Sequence, residues 1–207
     1  MKPNEKVLVT AAAGGTGHFA VQLAKMQGCH VVATCGGADK AKALERLGLD
    51  RVIDYKRESV GGVLREEYPN GIDLVYEGVG GAMLRTCLDG LAPRGRLILV
   101  GYIAEYPHSK DCALSGRPIG DGLPCAADLF WGGTTIERDR QTIYGGVMPK
   151  DPQDIQRCRA KVFRLYEEGR LSAWIDRSNR YVGLESIPDA IDGMLKGGHI
   201  GKVVVEI

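Results

Sequence analysis

A short apolar run that passes through a glycine-rich turn into an amphipathic stretch constrains the fold of this chain more than any other feature. Residues 6–10 read KVLVT, the turn follows as AAAGGTG, and apolar Phe19 and Leu23 then recur at helical spacing. A buried strand joined to a helix by a tight glycine turn is the first half of a βαβ unit, whose strands lie parallel. The chain is therefore predicted to contain a parallel sheet with helical crossovers.

The same alternation of strand and helix patterns continues through the first hundred residues. Short apolar runs bounded by Gly, Pro or Asp predict four more strands, at residues 30–34, 51–54, 73–76 and 96–100. A helix is predicted between the second and third of the five strands, at residues 39–47. The runs lack clean alternation, as expected where helices cover both faces of a parallel sheet.

The second half of the chain begins with a break in this pattern. A stretch rich in Gly, Pro and polar residues, from Gly101 to about residue 135, predicts one long loop. A helix with Asp151 as its N-cap and Pro152 in its first turn is predicted to run to Gly169. The remaining predicted elements are a helix that begins near residue 188 and strands at residues 141–144, 181–184 and 202–207.

Composition and charge exclude several classes of partner. The net charge of the 207 residues is +1, which argues against nucleic acid or an anionic membrane as the main partner. The N-terminus lacks a long apolar stretch, so we expect a cytoplasmic protein, with a peroxisomal or mitochondrial location left open if a signal lies outside this chain. The six cysteines form no C-x-x-C pair and predict free thiols. No metal site is predicted, because cysteines and histidines form no close set of four ligands.

The glycine turn after the first strand has the pattern of a phosphate-binding loop. Ala12, Gly14 and Gly17 occupy the three small-residue positions of the G-x-G-x-x-G fingerprint, with alanine at the first. Glycine lets the backbone approach a pyrophosphate, and the N–H groups at a helix N-terminus favour an anion. The turn therefore predicts a dinucleotide site, and a plain tight turn in an α/β protein is the alternative interpretation.

The end of the second strand indicates which dinucleotide is bound. Domains that bind NAD usually place a carboxylate there, whereas this strand runs into Cys35, Gly36 and Gly37. Lys40, just beyond, and Tyr55, after the third strand, are placed to flank a 2′-phosphate, which favours NADP(H) over NAD. A solvated helix residue is the alternative interpretation of Lys40.

Two glycine-containing turns follow the fourth and fifth strands. The first contains Glu77, Val79 and Gly80, and the second contains Gly101 and Tyr102. Because the carboxyl ends of neighbouring parallel strands meet at one edge of a sheet, we expect a nicotinamide ring to lie there. The geometry of a helix N-terminus is an alternative reason for these glycines.

Several segments, in this order and at this spacing, resemble one family of enzymes. They are VLVTAAAGGTG, ATCGGADK, LGLDRVIDYK, DLVYEGVGGAML, GRLILVGYI and the tail GLESIPDAIDGMLKGGHIGKVVVEI. Together they are similar to the medium-chain dehydrogenase/reductases, in the zinc-free quinone oxidoreductase and prostaglandin reductase branch. The resemblance implies an α/β fold with a Rossmann-type doubly wound parallel sheet over residues 1–172. It also implies that residues 173–207 are a C-terminal segment of a mostly missing GroES-like catalytic domain.

The resemblance further implies an activity and a set of site residues. The activity is NADPH-dependent reduction of the C=C bond of a small hydrophobic carbonyl substrate, an α,β-unsaturated ketone such as an oxo-prostaglandin, or a quinone. Tyr106 is implied near the substrate carbonyl, with an exposed loop aromatic as its alternative. A homodimer is implied, paired through a sheet edge near residues 141–144. The expected cofactor-binding residues are Ala12, Gly14, Gly15, Thr16, Gly17, Cys35, Gly36, Gly37, Lys40, Tyr55, Glu77, Val79, Gly80, Gly101, Tyr102, Ile103, Gly146, Val147, Met148 and Lys202.

Two other functions remain open. Tyr106 and Lys110 match the Y-x-x-x-K motif of short-chain dehydrogenases, but Pro107 opposes the helix that this pair requires. A chain that binds NADPH without turnover is the more serious alternative. The first strand begins at Lys6, where the resemblance implies a preceding catalytic domain.

Overall fold

A seven-stranded sheet forms the centre of the molecule. The computed structural model describes residues 1–106, 118–120, 122–138, 140–146 and 151–207. The strands of the sheet are β1 Lys6–Val9, β2 His30–Cys35, β3 Arg51–Asp54, β4 Ile72–Glu77, β5 Leu91–Leu99, β6 Thr135–Arg138 and β7 Gln141–Gly145. Their spatial order is β3-β2-β1-β4-β5-β7-β6, and every neighbouring pair is parallel except the antiparallel pair of β6 and β7.

Helices connect the strands and cover the sheet. They are α1 Gly17–Met26, α2 Ala38–Glu45, α3 Val60–Glu67, α4 Gly81–Asp89, α5 Ala126–Gly132, α6 Pro152–Glu167 and α7 Ile187–Lys196. A separate parallel pair is formed by β8 Tyr181–Val182 and β9 Val205–Glu206. The chain starts in the middle of the large sheet and winds outward in both directions. The predicted Rossmann-type doubly wound sheet is therefore confirmed, while the division at residue 172 stays a prediction.

The hydrophobic core consists of two layers, one on each face of the sheet. Successive residues of β1 point to opposite faces, so Val7 and Val9 pack in the layer that contains Val21 of α1 and Leu44 of α2. Leu8 packs in the other layer, which contains apolar side chains of α3, α4 and α5. Both layers are needed because a parallel sheet is apolar on both faces, which explains why the strand sequences lack clean alternation.

The long loop predicted after Gly101 is wrong in part, because a 3-10 turn and α5 occur within it and β6 begins at its end. Helix α5 has only seven residues, so its periodic signal is short, and it is capped by Cys125, whose sulfur accepts from the Asp128 N–H. Leu129 of this helix is fully buried. Its formation therefore depends on burial against the sheet, which the local composition does not reveal.

The strand near residues 141–144 was predicted to form a sheet edge, and this is also wrong. Strand β7 lies between β5 and β6, so β6 is the outermost strand on that side. The predicted final strand is shorter than expected, since only β9 pairs in register with β8. The predicted start of α6 is confirmed, because the Asp151 carboxylate accepts from the Gln153 N–H at 2.9 Å. Among the described residues, no helix combines the length and apolarity needed to cross a bilayer.

Candidate functional site

The glycine turn lies between the carboxyl end of β1 and the N-terminus of α1. A β-carbon at Gly17 would overlap the carbonyl oxygen of Ala11 and would lie 2.7 Å from the Ala12 Cα. Only glycine therefore allows α1 to begin this close to the end of β1. The first turn of a helix leaves backbone N–H groups without partners inside the helix, so this close approach directs them at the edge of the sheet where a phosphate would lie.

The C-terminal segment of residues 173–207, called the tail from here on, crosses this turn. The Gly201 N–H donates to the Ala13 carbonyl oxygen at 2.7 Å, and Gly14 pairs with Gly201 as in a parallel ladder. The next side chain, Lys202, lies over Gly15, with its Cδ 2.9 Å from the position that a β-carbon would take. The structure thus brings the predicted Lys202 to the predicted phosphate turn, although the two are far apart in sequence.

His18 supports the turn from inside and was not predicted. Its ring is fully buried and stacks on Trp174. The His18 Nε2 accepts from the Trp174 N–H at 3.1 Å, so Nδ1 carries the ring proton and donates to the Gly14 carbonyl oxygen at 2.7 Å. Burial lowers the pKa of His18, which keeps the ring neutral and suited to this one tautomer. A histidine directly after the last glycine of the turn is the sequence signal that could have revealed it.

Gln22, one turn further along α1, binds the segment that precedes the tail. Its Nε2 donates to the Ser172 carbonyl oxygen at 3.0 Å, and its Oε1 accepts from the Ser172 N–H at 2.8 Å. Both backbone groups of Ser172 are therefore satisfied by one amide side chain. The partners are 150 residues apart, so no local pattern predicts this contact.

The corner at the end of β2 contains the residues predicted to flank a 2′-phosphate. The Tyr55 ring lies against Gly36, with its Cζ 2.6 Å from the position of a β-carbon there, so only glycine leaves room for the ring. Gly37 has a φ of 110° and donates its N–H to Asp54 at 2.8 Å. This bond lowers the pKa of Asp54 and uses its carboxylate inside the loop. The Cys35 thiol is buried, and burial raises its pKa to about 11, so the thiol stays protonated at neutral pH.

Lys40 is tied to the tail instead of extending freely into solvent. Its Nζ donates to the carbonyl oxygen of Gly197, the residue that ends α7. Burial lowers the pKa of Lys40, because a charged amine loses hydration there. Lys40 is thus a partly buried helix residue that contacts the tail, and its role at a phosphate stays a prediction.

Glu77, at the end of β4, holds the next glycine loop in place. Its side chain is fully buried, and its two oxygens accept from the N–H groups of Val79 at 2.8 Å and Gly80 at 2.9 Å and from the Thr10 hydroxyl at 3.1 Å. Burial raises the pKa of Glu77 to about 7 despite these donors. The Glu77 carboxylate thus binds the backbone of its own loop, and the predicted role of Glu77 in cofactor binding stays a prediction.

A second buried carboxylate joins this loop to the one after β5. The Gly81 N–H, at the start of α4, donates to the Glu105 Oε1 at 2.8 Å. The loop is also held by the Ala104 N–H, which donates to the Val79 carbonyl oxygen at 2.8 Å. Ala104 and Glu105 belong to the 3-10 turn Ile103–Glu105. The structure therefore brings the predicted nicotinamide-side residues together, and Glu105 is a member of this group that the sequence motifs did not indicate.

Aromatic side chains line the edge of the sheet beyond these loops. The rings of Tyr106 and Phe130 each pack edge-on against Tyr102, at centroid distances of 5.0 and 5.6 Å. The Tyr102 hydroxyl accepts from the Trp131 indole N–H at 2.7 Å. The Tyr106 side chain is 37% exposed, and burial raises its pKa, so its hydroxyl is protonated at neutral pH. Tyr106 is thus an exposed aromatic side chain that packs against Tyr102, and its predicted place near a substrate carbonyl stays a prediction.

The predicted loop after β7 is described only in part. Gly145 ends β7, and Gly146 follows with a φ of 79°. Both lie at the same carboxyl edge as the other predicted residues, because β7 runs parallel to β5. Val147 and Met148 lie outside the described residues, so their predicted contacts stay predictions.

A family model described as zinc-binding dehydrogenase matches residues 15–122, which is about half of the chain. This match covers the end of the glycine turn from Gly15 onwards, the corner at the end of β2 and the loops after β4 and β5. The chain belongs to the zinc-binding dehydrogenase family. The predicted membership of the medium-chain dehydrogenase/reductases, in the quinone oxidoreductase and prostaglandin reductase branch, is therefore confirmed.

Several curated relatives in this family match over the whole chain. Prostaglandin reductase-3 from Mus musculus is 41% identical, and the match covers 53% of that protein. A probable quinone oxidoreductase from Leishmania amazonensis is 34% identical, with 58% of its length covered. A crystal structure of CurA in complex with NADPH, from Vibrio vulnificus, has a TM-score of 0.76 and 27% identity, and the match covers all of this chain and 58% of that one. The chain spans about half the length of the curated relatives it matches.

The family description mentions zinc, which raises the question of whether side chains of this chain could bind a zinc ion. Within the part of the chain that the structure describes, no group of three or more His, Cys, Asp or Glu side chains is placed to hold a metal ion. Cys29, Cys35, Cys87 and Cys125 are buried, with raised pKa values that disfavour the thiolate form a metal needs. The described residues therefore do not fit a zinc site, and the chemistry proposed below involves no zinc ion.

Proposed function

We propose that this chain is the nucleotide-binding part of an NADPH-dependent reductase that reduces the C=C bond of α,β-unsaturated ketones or quinones. The observation that carries the proposal is the glycine turn, where the N-terminus of α1 and the Lys202 side chain meet at the carboxyl edge of a parallel sheet. A phosphate group fits this combination of N–H groups, helix dipole and cation. The relative crystallised with NADPH has the same fold, which supports the choice of cofactor.

In this proposal, the site residues bind and orient the cofactor from one end to the other. The glycine turn and Lys202 hold the pyrophosphate, while Lys40 and Tyr55 hold the 2′-phosphate at the end of β2. The loops after β4 and β5, made rigid by Glu77 and Glu105, provide a backbone surface for the nicotinamide. When bound, NADPH would supply the hydride.

The protein needs few acid-base groups for this reaction. The aromatic wall of Tyr102, Tyr106 and Phe130 provides apolar surface for the substrate beside the proposed nicotinamide site. The protonated Tyr106 hydroxyl donates a hydrogen bond to the carbonyl oxygen of the substrate as negative charge develops there. Such a donor stabilises the transition state because more negative charge lies on the oxygen there than in the bound substrate.

The test separates cofactor binding from turnover. NADPH and NADH affinities are measured by fluorescence on the wild-type chain, on Lys40→Ala, and on Lys42→Ala, which changes an exposed lysine of the same helix. We expect Lys40→Ala to weaken NADPH binding about tenfold or more while changing NADH binding much less, since the lost charge faces only the 2′-phosphate. Equal losses for both cofactors would contradict the assignment of Lys40, and no NADPH binding at all would overturn the proposed function.

A second candidate function is an NADPH-binding chain that does not turn over substrate. It is supported by the described site, in which hydrogen-bonded loops position groups for the cofactor, whereas the proposed substrate side consists of the aromatic rings of Tyr102, Tyr106 and Phe130. Enone-dependent NADPH oxidation by the same preparation distinguishes the two candidates. Oxidation above the background without protein supports the reductase, whereas tight NADPH binding without oxidation supports the second candidate.

A further inference from the structure

We propose that His199 is a ligand of the cofactor 2′-phosphate, acting together with Lys40, and that it takes up a proton when the phosphate binds. This inference rests on the proposed NADPH function and names a specificity-determining residue within it. His199 is absent from the residues that the sequence motifs indicated. It would make nucleotide binding dependent on pH in the physiological range.

The position of His199 follows from how its loop is anchored. The loop at residues 197–201 is fixed at one end by Lys40, which donates to the Gly197 carbonyl oxygen. At the other end it is fixed by the Gly201 N–H, which donates to Ala13 in the glycine turn. The loop therefore spans the distance between the two proposed phosphate positions, and His199 is its middle residue.

The charged groups around His199 come from each element packed against it. They are Lys40 from α2, and Asp176 and Lys202 from the tail; Lys40 and Lys202 lower the pKa of His199, while Asp176 raises it. Burial lowers the pKa further and is the largest cause. Asp176 is already engaged, since its two oxygens accept from the Ile200 N–H at 3.0 Å and the Ser178 hydroxyl at 2.6 Å. His199 is consequently neutral and lies close to two cations.

The ring also has an unsatisfied nitrogen. The Nδ1 of His199 is buried and has no hydrogen-bond partner among the described residues. Buried polar atoms are nearly always paired in folded proteins, because an unpaired one loses the hydrogen bond it would make to water. The missing hydrogen bond is unfavourable in the free protein, and the two nearby lysines disfavour a second proton on the ring. An anion at this place would offset the charge of the lysines and accept a hydrogen bond from the ring.

A phosphate bound at Lys40 would supply a hydrogen-bond acceptor for the His199 ring and a negative charge beside the two lysines. A lysine amine has three donors, so Lys40 can keep its bond to Gly197 and still donate to a phosphate oxygen. The negative charge of the phosphate offsets the two lysines, and its oxygens accept hydrogen bonds from a protonated imidazole. Binding therefore converts His199 from a neutral ring to an imidazolium, with the proton taken from solvent.

The experiment uses two nucleotides that differ only in the 2′-phosphate, namely 2′,5′-ADP and 5′-ADP. The ring pKa of His199 is measured by NMR on the full chain with each nucleotide, and its signals are assigned by their loss in His199→Asn. We expect 2′,5′-ADP to raise the pKa of His199 by about one unit or more, because an opposite charge has moved within a few ångströms. We expect 5′-ADP to leave it nearly unchanged.

Affinities provide a second readout. From pH 8 to pH 6, we expect the ratio of the His199→Asn dissociation constant for 2′,5′-ADP to the wild-type value to increase about three- to tenfold. A phosphate that titrates by itself affects both proteins equally and cancels from this ratio. The same substitution in His30→Asn, at the amino end of β2, is the matched control and should leave the ratio constant.

Three results would overturn the proposal. They are an unchanged pKa of His199 with 2′,5′-ADP, an affinity ratio for His199→Asn that does not vary with pH, and an equal response to 5′-ADP, which would assign the effect to another phosphate. Each of these can occur in a chain that binds NADPH normally. Failure of the proposed function is recognised separately, by the absence of NADPH binding to wild type.

Discussion

At the scale of single residues, the fully buried Glu77 links the site to the stability of the protein. Burial raises its pKa to about 7, well above that of a glutamate in an unfolded chain, about 4.3. The folded protein therefore holds this proton more tightly than the unfolded chain. Its contribution to stability is largest below the unfolded pKa and is lost as the pH rises through the folded pKa.

We predict that the free energy of unfolding of wild type falls relative to that of Glu77→Gln between pH 5 and pH 8, by roughly 2 kcal/mol. The glutamine amide does not titrate. The substitution therefore shifts the free energy of unfolding by a constant amount, but it contributes no dependence on pH of its own. Urea unfolding at several pH values measures the difference. Glu66→Gln, which alters an exposed carboxyl of α3, controls for the substitution. A difference between wild type and Glu77→Gln that is constant over this range would contradict the prediction.

At the scale of elements, the contact between α1 and the segment around Ser172 holds the tail over the glycine turn. Gln22 satisfies the Ser172 N–H and carbonyl oxygen, and His18 satisfies the Trp174 N–H. The tail then continues to Gly201 and Lys202 at the turn. Loss of the contact between Gln22 and Ser172 should therefore also displace Lys202 from its position over the glycine turn.

We predict that Gln22→Ala destabilises the fold by about 1 to 3 kcal/mol, because it leaves the Ser172 backbone groups without partners. It should also weaken NADPH binding, since Lys202 is less firmly placed over Gly15. Chemical unfolding and cofactor fluorescence measure the two effects. Gln27→Ala, at an exposed position directly after the same helix, should change neither quantity appreciably. Equal behaviour of the two variants would show that the α1 contact does not hold the tail.

At the scale of the whole molecule, the outermost strand β6 offers a surface for self-association. We propose that two copies of the chain pair through this strand, as unpaired backbone groups at a sheet edge favour. The Gly145 N–H donates to Thr134, and the following pair of Thr135 with Tyr144 does not exchange ladder bonds. The Thr135 N–H consequently points away from β7, towards a second copy.

We predict that Thr135→Pro shifts the protein from dimer to monomer, because proline removes this outward donor without breaking the bonds between β6 and β7. Light scattering with size-exclusion chromatography measures the mass. Thr135→Val keeps the N–H and should remain dimeric. A wild-type monomer, or a Thr135→Pro dimer as stable as wild type, would contradict pairing through β6.

The first five strands and the glycine turn were predictable because their signals are local. Apolar runs of strand length, punctuated by Gly, Pro and Asp, identified β1 to β5 with shifts of a few residues at their ends. The fingerprint positions were also local, and the overlap that a side chain at Gly17 would cause explains why glycine occurs there. Helix α5 and strand β6 were missed because each is short and is stabilised mainly by packing on elements distant in sequence.

Local sequence was thus sufficient to predict the parallel sheet with helical crossovers and the position of the glycine turn after β1. Periodicity and glycine placement act over a few residues, so they can be read without knowing the rest of the fold. Only the folded chain decided that Glu77 faces inward, that Lys40 binds Gly197, and that His199 lies near Lys40 and Lys202. These outcomes depend on burial and on partners many residues away, which a linear pattern does not encode.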